Sequence, residues 1–515
     1  MKTQTLGLMA SLGMLLVGGA TYAVTPAGGF AATPEPKVVA SNEDDDAESK
    51  QGGGSSLFGD SSSSLTQFSS GKTVRVEGRV GQGAMLGTGP QETFVMLEMK
   101  GDAGPGKGEA PRVNLSLVID KSGSMRGSRF ANALSAAQTA VERLRDGDTV
   151  SVIAFDTKTE TVVPATTINP SSRSSAIQSI RNIQLGGDTC ISCGIEEGLV
   201  EIKRAQSFSG SDNGVDRMIL LSDGEPTSGV RDVSSFRTIA QRAMTQNVTV
   251  TTIGVDVDFN ENIMSAIALA SNGRHYFVEN DRDLVRVFES EAQTLEESVA
   301  SDSVAEIELG PGVELVQVFD RTFSRSGSRV SVPLGAFSKG ETKTVLLKVR
   351  APAGADGDVE LVKVDVAYRD LISGKDVKES GKLGFARVSD NAKVTDLDGL
   401  VVDRVQRSET AAALRDANSL FVVGKADEAR RRLAVAQESL NKAKATAPKR
   451  APSGRAKDIN DSFDNQEAEL NRASGGFASP PPADAASPGA APQPAPRQQK
   501  VEQKRNAESA TKLAL

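Results

Sequence analysis

The sequence predicts an α/β domain with a doubly wound, mainly parallel sheet, inserted in a β-sandwich and followed by a helical hairpin and a disordered tail. Two observations carry this. Between residues 113 and 271, short apolar runs alternate with amphipathic helical segments, the pattern of strands buried on both faces. On either side of that stretch the apolar period drops to two, as in half-buried strands of an all-β unit.

Taken in order, residues 1–23 read as a signal peptide: one Lys, an apolar run over 6–17, then Gly18, Gly19 and Ala20 leading to Thr21-Tyr22-Ala23. The alternative is an uncleaved anchor, since the apolar stretch over 6–24 approaches the ~20 residues of a span. No Cys follows the run, which excludes a lipoprotein anchor. Residues 24–71 are rich in Gly, Ser, Pro and acid and read as a disordered linker. Ser70-Gly71-Lys72-Thr73 mimics the end of a phosphate-binding loop, but Thr66 stands where Gly is required and a strand pattern follows.

Strand signals at 74–77 and 94–99 make 72–111 the first part of the sandwich. The α/β domain spans 112–298, with strands at 113–119, 150–155, 218–221 and 248–255 and a last helix over 281–299. Period-two segments return over 301–388. The strands before residue 100 are too few to bury a core, and the later set has edges to cover, so both parts are expected to build one sandwich. Residues 393–446 form a helical hairpin around Gly424, and 447–515 is a disordered Pro/Ala-rich tail with seven prolines between Pro480 and Pro496.

Composition narrows the function. With 59 Lys+Arg against 67 Asp+Glu the net charge is -8, which argues against a nucleic-acid partner. The single His275 and two Cys exclude a His-pair zinc site, and any Ser-His-Asp triad would have to use His275. His275 stands on a predicted short strand with no nucleophile motif beside it and reads as a packing residue. Chemistry must come from oxygen ligands.

Such ligands gather at the carboxyl end of the first buried strand, where a doubly wound sheet binds its ligands. Asp120, Ser122 and Ser124 turn three oxygens to one side, with Gly123 letting the loop fold tightly. Thr189 precedes a helix and Asp223 follows a strand at the same edge. Oxygen donors of this kind suit a hard divalent cation: Mg²⁺ first, with Mn²⁺ or Ca²⁺ as alternatives. The competing reading is an ion-free loop in which Asp120 caps the next helix.

These residues resemble the von Willebrand factor type A domain with a metal-ion-dependent adhesion site, a Rossmann-like fold. The Asp-x-Ser-x-Ser signature falls on Asp120, Ser122 and Ser124, the distal Thr on Thr189 and the distal Asp on Asp223 in "LLSDGEPTSG". The resemblance runs on through "TVSVIAFD" and "VTVTTIGVDVDFNENIMSAIALASNGRHYFV", covers about residues 72–388, and extends to secreted bacterial relatives of inter-alpha-trypsin inhibitor heavy chains. It implies that the serines coordinate directly, Thr189 and the carboxylates directly or through water, and that an acidic side chain of a protein partner takes a remaining position.

Two departures from the family stand out. Asp188 occupies a place expected to hold a small residue; it either adds a carboxylate to the site or faces solvent. Cys190 and Cys193 follow Thr189, and outside the cytoplasm they are expected to form a disulfide, with free thiols or a redox pair at a helix start as alternatives. The resulting expectation is an exported, non-enzymatic, metal-dependent binding module of the periplasm, cell envelope or extracellular space. Membrane contact is expected only if the leader stays uncleaved. The alternative is an accessory subunit of an ATP-driven, chelatase-like complex, against which the leader argues.

Overall fold

The computed structural model describes residues 65–102, 111–209, 214–477 and 497–515. The predicted leader, most of the predicted linker and the proline-rich stretch lie outside the described residues. The chain opens with β1 (Gln67–Ser70), β2 (Val74–Val80), β3 (Ala84–Leu86) and β4 (Gln91–Gly101). β1 corrects the expectation of a linker up to residue 71. The ring of Phe68 lies over Gly78 and Gly381, where any side chain would collide with it, and this packing draws residues 67–70 onto β2.

The inserted α/β domain follows as β5 (Arg112–Asp120), α1 (Ser128–Arg143), β6 (Thr149–Phe155), β7 (Thr159–Thr167), α2 (Pro170–Arg181), α3 (Ile191–Ser209), β8 (Gly214–Ser222), α4 (Val233–Thr245), β9 (Thr249–Val255), α5 (Glu261–Ala270), β10 (His275–Val278) and α6 (Leu284–Glu296). Its sheet runs β10-β9-β8-β5-β6-β7, parallel except for the β7 edge. Alternation along each strand feeds two cores. Leu115, Leu117 and Ile119 pack under α1, α2 and α6, while Val118, Ile153 and Phe155 pack under α3, α4 and α5. Strands buried on both faces in this way require helices on both sides.

The sandwich resumes with β11 (Ser298–Leu309), β12 (Glu314–Phe319), β13 (Ser324–Ser326), β14 (Arg329–Ser338), β15 (Thr342–Ala351), β16 (Gly357–Asp370) and β17 (Lys375–Val388). One sheet is β1-β2-β4-β15-β12, the other β13-β14-β11-β16-β17-β3. The β4–β15 ladder, from Lys100↔Thr342 to Gln91↔Ala351, joins segments separated by the whole inserted domain. Entry and exit of the insert meet at one turn: Gly340 N donates to Gly101 O and Lys339 N to Glu297 O, each at 2.8 Å. Because β5 begins at this base, its carboxyl end at Asp120 is carried to the far edge of the domain.

Two helices, α7 (Gly399–Val422) and α8 (Ala426–Thr446), form the hairpin. The tail departs from its predicted disorder, for α9 (Ala456–Gly476) and α10 (Arg497–Ala514) are helices. Ile459, Phe463, Leu470 and Ala473 place one apolar face of α9 in the same core as Leu414, Leu433 and Leu440, and α10 adds Ala510, Leu513 and Ala514. Among the described residues no helix is long and apolar enough to cross a membrane.

Candidate metal centre

Four loops at the carboxyl edge of the parallel sheet are stitched together by backbone bonds. Lys121 N donates to Phe155 O (2.8 Å), Gly186 N to Lys121 O (2.7 Å), Cys190 N to Asp156 O (2.8 Å) and Thr227 N to Thr189 O (2.9 Å). Met125, fully buried, anchors the first loop into the core from below. Gly186 has no room for a side chain, since a Cβ would fall 1.6 Å from Asp156 Oδ2. That close approach sets the loop carrying Thr189 against the one after β6, while the Gly186 N–Lys121 O bond ties it to the loop carrying Asp120.

Within this frame Asp120 is wholly buried, Ser122 and Thr189 nearly so, and Ser124 is exposed. Asp120 Oδ1 accepts from Ser122 N at 2.8 Å, and Oδ2 from Ser222 Oγ at 2.6 Å. The hydroxyls of Ser122 and Ser124 lie 3.0 Å apart, and Ser124 Oγ donates to Asp223 Oδ1 at 2.7 Å. Thr189 is aimed at the same place: a Cβ on Gly224 would lie 3.4 Å from Ser124 Oγ and 3.5 Å from Thr189 Oγ1. All five residues singled out in the sequence thus meet at one edge. The amide of Asp188 donates to Thr157 Oγ1, and its side chain is exposed.

Electrostatically, this is a pair of acids held by hydroxyls. Burial pushes the Asp120 carboxyl up to about 6 against the hydrogen bonds from Ser122 and Ser222. Burial also raises Asp223, opposed by Ser124 and Arg129. Sequence reasoning missed Arg129, whose Nη1 donates to Asp223 Oδ2 at 2.9 Å and whose Nη2 bonds Asp256. It missed Ser222 too, although that residue directly precedes Asp223. Among the described residues no group of three or more His, Cys, Asp or Glu is placed to hold a metal ion, so a cation here would rely on hydroxyls.

Residues 114–290 match the sequence profile of the von Willebrand factor type A domain. The chain carries a von Willebrand factor type A domain. The chain aligns with the uncharacterized protein sll0103 of Synechocystis at 27% identity over 275 residues, 51% of this chain and 63% of that protein. It also aligns with pig inter-alpha-trypsin inhibitor heavy chain H1 at 27% over 201 residues, 38% of this chain and 22% of the relative. The chain therefore spans less than two thirds of these relatives. Likeness of fold reaches further. A von Willebrand factor type A structure from Catenulispora acidiphila superposes with a TM-score of 0.63 at 17% identity, over 81% of this chain and 92% of that one. The VWA2 paralog of ArnB from Sulfolobus acidocaldarius gives 0.56 at 18% identity, over 86% and 100%.

Next to Thr189, Cys190 and Cys193 are joined as a disulfide, their Cα atoms 5.3 Å apart. The bridge packs against Gly229, where a Cβ would lie 2.5 Å from Cys190 Sγ. His275 is buried, with Nδ1 2.9 Å from Thr252 Oγ1, remote from the five residues of the edge.

Proposed function

We propose that this protein is an exported, metal-dependent protein-binding module whose type A domain holds a divalent cation, Mg²⁺ or else Mn²⁺ or Ca²⁺, and engages a carboxylate of a partner protein. Type A domains commonly mediate metal-dependent protein interactions, and the donor set here fits that role. The observation that carries the reading is the convergence of the Ser122, Ser124 and Thr189 hydroxyls between Asp120 and Asp223. Ser122, Ser124 and Thr189 would hold the ion directly. Asp120 and Asp223 already accept hydrogen bonds from Ser122 N, Ser222 and Ser124, and would contribute charge through water.

When bound, the cation would supply a Lewis-acidic position that neutral hydroxyl ligands leave with surplus positive charge. The chain's own part is to orient. Asp120 fixes the Ser122 amide, Ser222 fixes Asp120, and the Thr189 carbonyl accepts from Thr227 N and Ser228 N. The leader-like residues 1–23 are the support for export, and cell fractionation tests it: protein confined to the cytosol beside an ATPase would favour the chelatase-like alternative.

Water-proton relaxation with Mn²⁺ tests the binding itself. Wild-type protein should enhance relaxation, and acetate, standing in for a partner carboxylate, should reduce the enhancement by displacing coordinated water. Asp120→Ala should give no enhancement while keeping its circular dichroism. Equal Mn²⁺ affinity in the two proteins would remove the assignment.

A further inference from the structure

The first turns of α10 carry four basic residues, Arg497, Lys500, Lys504 and Arg505, and each is paired with an acid of the type A domain. Arg497 meets Asp256 at 2.7 Å, Lys500 meets Asp258 at 3.1 Å, Lys504 meets Glu261, and Arg505 meets Glu279 at 2.8 Å. The spacing puts the first three on one helical stripe. Apolar burial by α10 is modest, limited to Val501, Ala507, Ala510, Leu513 and Ala514. Charge therefore does much of the docking.

Two of these pairs fall on the rim of the metal centre. Asp256 is shared: Arg497 approaches Oδ1 as an ion pair with no aligned N–H, while Arg129 bonds Oδ2 and extends its other nitrogen to Asp223. A continuous line of charges thus runs Arg497–Asp256–Arg129–Asp223 and ends on the Ser124 hydroxyl, which donates to Asp223. Asp258 bears electrostatically on both Arg129 and Asp223. With α10 docked, the two rim acids and Asp223 face three cations, Arg129, Arg497 and Lys500. With its basic end withdrawn, the same three acids face Arg129 alone.

We propose that α10 is an electrostatic strap that lowers the cation affinity of the metal centre, acting through Asp256 and Asp258 on Arg129 and Asp223. The proposal rests on the metal-binding reading of the previous section. Arg129 is the positioning residue of the device: it holds Asp223 on one side and competes with Arg497 for Asp256 on the other. Linkage makes the coupling reciprocal, so a bound cation must loosen the basic end of α10 by the factor that the strap costs the cation.

The test is calorimetric titration of full-length protein with Mn²⁺ at low and at moderate salt, paired with hydrogen exchange of the α10 amides. Arg497→Gln/Lys500→Gln should bind Mn²⁺ about fivefold or more tighter than wild type at low salt, a gap that narrows as salt screens the rim. Arg505→Gln removes a charge from the same helix away from the rim and should leave affinity unchanged. In an Arg129→Gln background the effect of the rim pair should shrink, the non-additivity expected of one connected line. Mn²⁺ should speed exchange over residues 497–505 of wild type. If wild type binds Mn²⁺ but the rim variant matches it and exchange does not respond, the strap is wrong and the metal centre stands. If wild type does not bind Mn²⁺, the metal reading fails and takes the strap with it.

Discussion

Glu291 and Asp120 are both wholly buried carboxylates of one domain, and their surroundings differ in kind. Glu291 on α6 meets Arg274 at 3.0 Å and Arg217 at 3.5 Å, and accepts from Tyr276 and Thr251, each at 2.8 Å. Burial alone would raise its pKa, but the two arginines, together with the hydrogen bonds from Tyr276 and Thr251, outweigh burial and hold it low. Asp120 has only hydroxyl and amide donors, and burial wins, raising it to about 6. A carboxylate closed off by arginines is a structural joint. One ringed by hydroxyls retains a demand for positive charge.

The largest expected effect tests the joint. Glu291→Gln leaves Arg217 and Arg274 without their buried counter-charge and should cost about 3 to 5 kcal/mol in urea unfolding. Mn²⁺ affinity of the folded fraction should be unchanged. A loss below about 1 kcal/mol would show that the arginines find other partners and would erase the contrast with Asp120.

A second test uses pH. Burial, helped by the charge of Lys504, lowers the pKa of His275 to about 3, below the ordinary value of 6.5. Its neutral form is therefore favoured by folding: that stability is present above about 6.5 and is lost as pH falls below it, at about 1.4 kcal/mol per unit. Asp120, raised, contributes the opposite slope between its folded value of about 6 and the ordinary 3.8, where the folded protein holds more protons. The two partly cancel in metal-free wild type. The difference in unfolding free energy between wild type and His275→Gln, followed from pH 7 to 5, should isolate a His275 contribution of about 2 kcal/mol. A difference that does not change with pH would mean that His275 titrates normally.

Smaller still is the effect of the bridge beside Thr189. Closing so short a loop restricts the unfolded chain by about 2 kcal/mol at most. Reduction of Cys190–Cys193 should therefore lower stability little while weakening Mn²⁺ binding several-fold, because the bridge stiffens the turn presenting Thr189 and abuts Gly229. Non-reducing mass spectrometry of the protein isolated from its native cells checks the premise, and two alkylatable thiols would contradict it.

Several elements could be read from sequence because their periodicity reports burial. β5, β6, β8 and β9 appear as apolar runs, and Asp120, Ser122, Ser124, Thr189 and Asp223 come at strand ends where the fold needs ligands. β7 escaped because an edge strand of alternating Thr and exposed positions carries little apolar signal. In α9 the apolar positions Ile459, Phe463, Leu470 and Ala473 keep a helical spacing, but the polar, proline-rich composition around them masked it. α10 offers few large apolar residues, since ion pairs with distant acids hold much of it, and such partners are not visible in one dimension. Arg129 was hidden for the same reason: its two carboxylate partners lie 94 and 127 residues away.

The most direct measurement is anomalous diffraction from a crystal soaked in Mn²⁺. The account predicts one strong peak at the carboxyl edge of the sheet, about 2.1 Å from the hydroxyl oxygens of Ser122, Ser124 and Thr189, with none beside Glu291, and loss of that peak in Asp120→Ala. A well-ordered edge without a peak at saturating Mn²⁺, or a peak that survives Asp120→Ala unchanged, would contradict it.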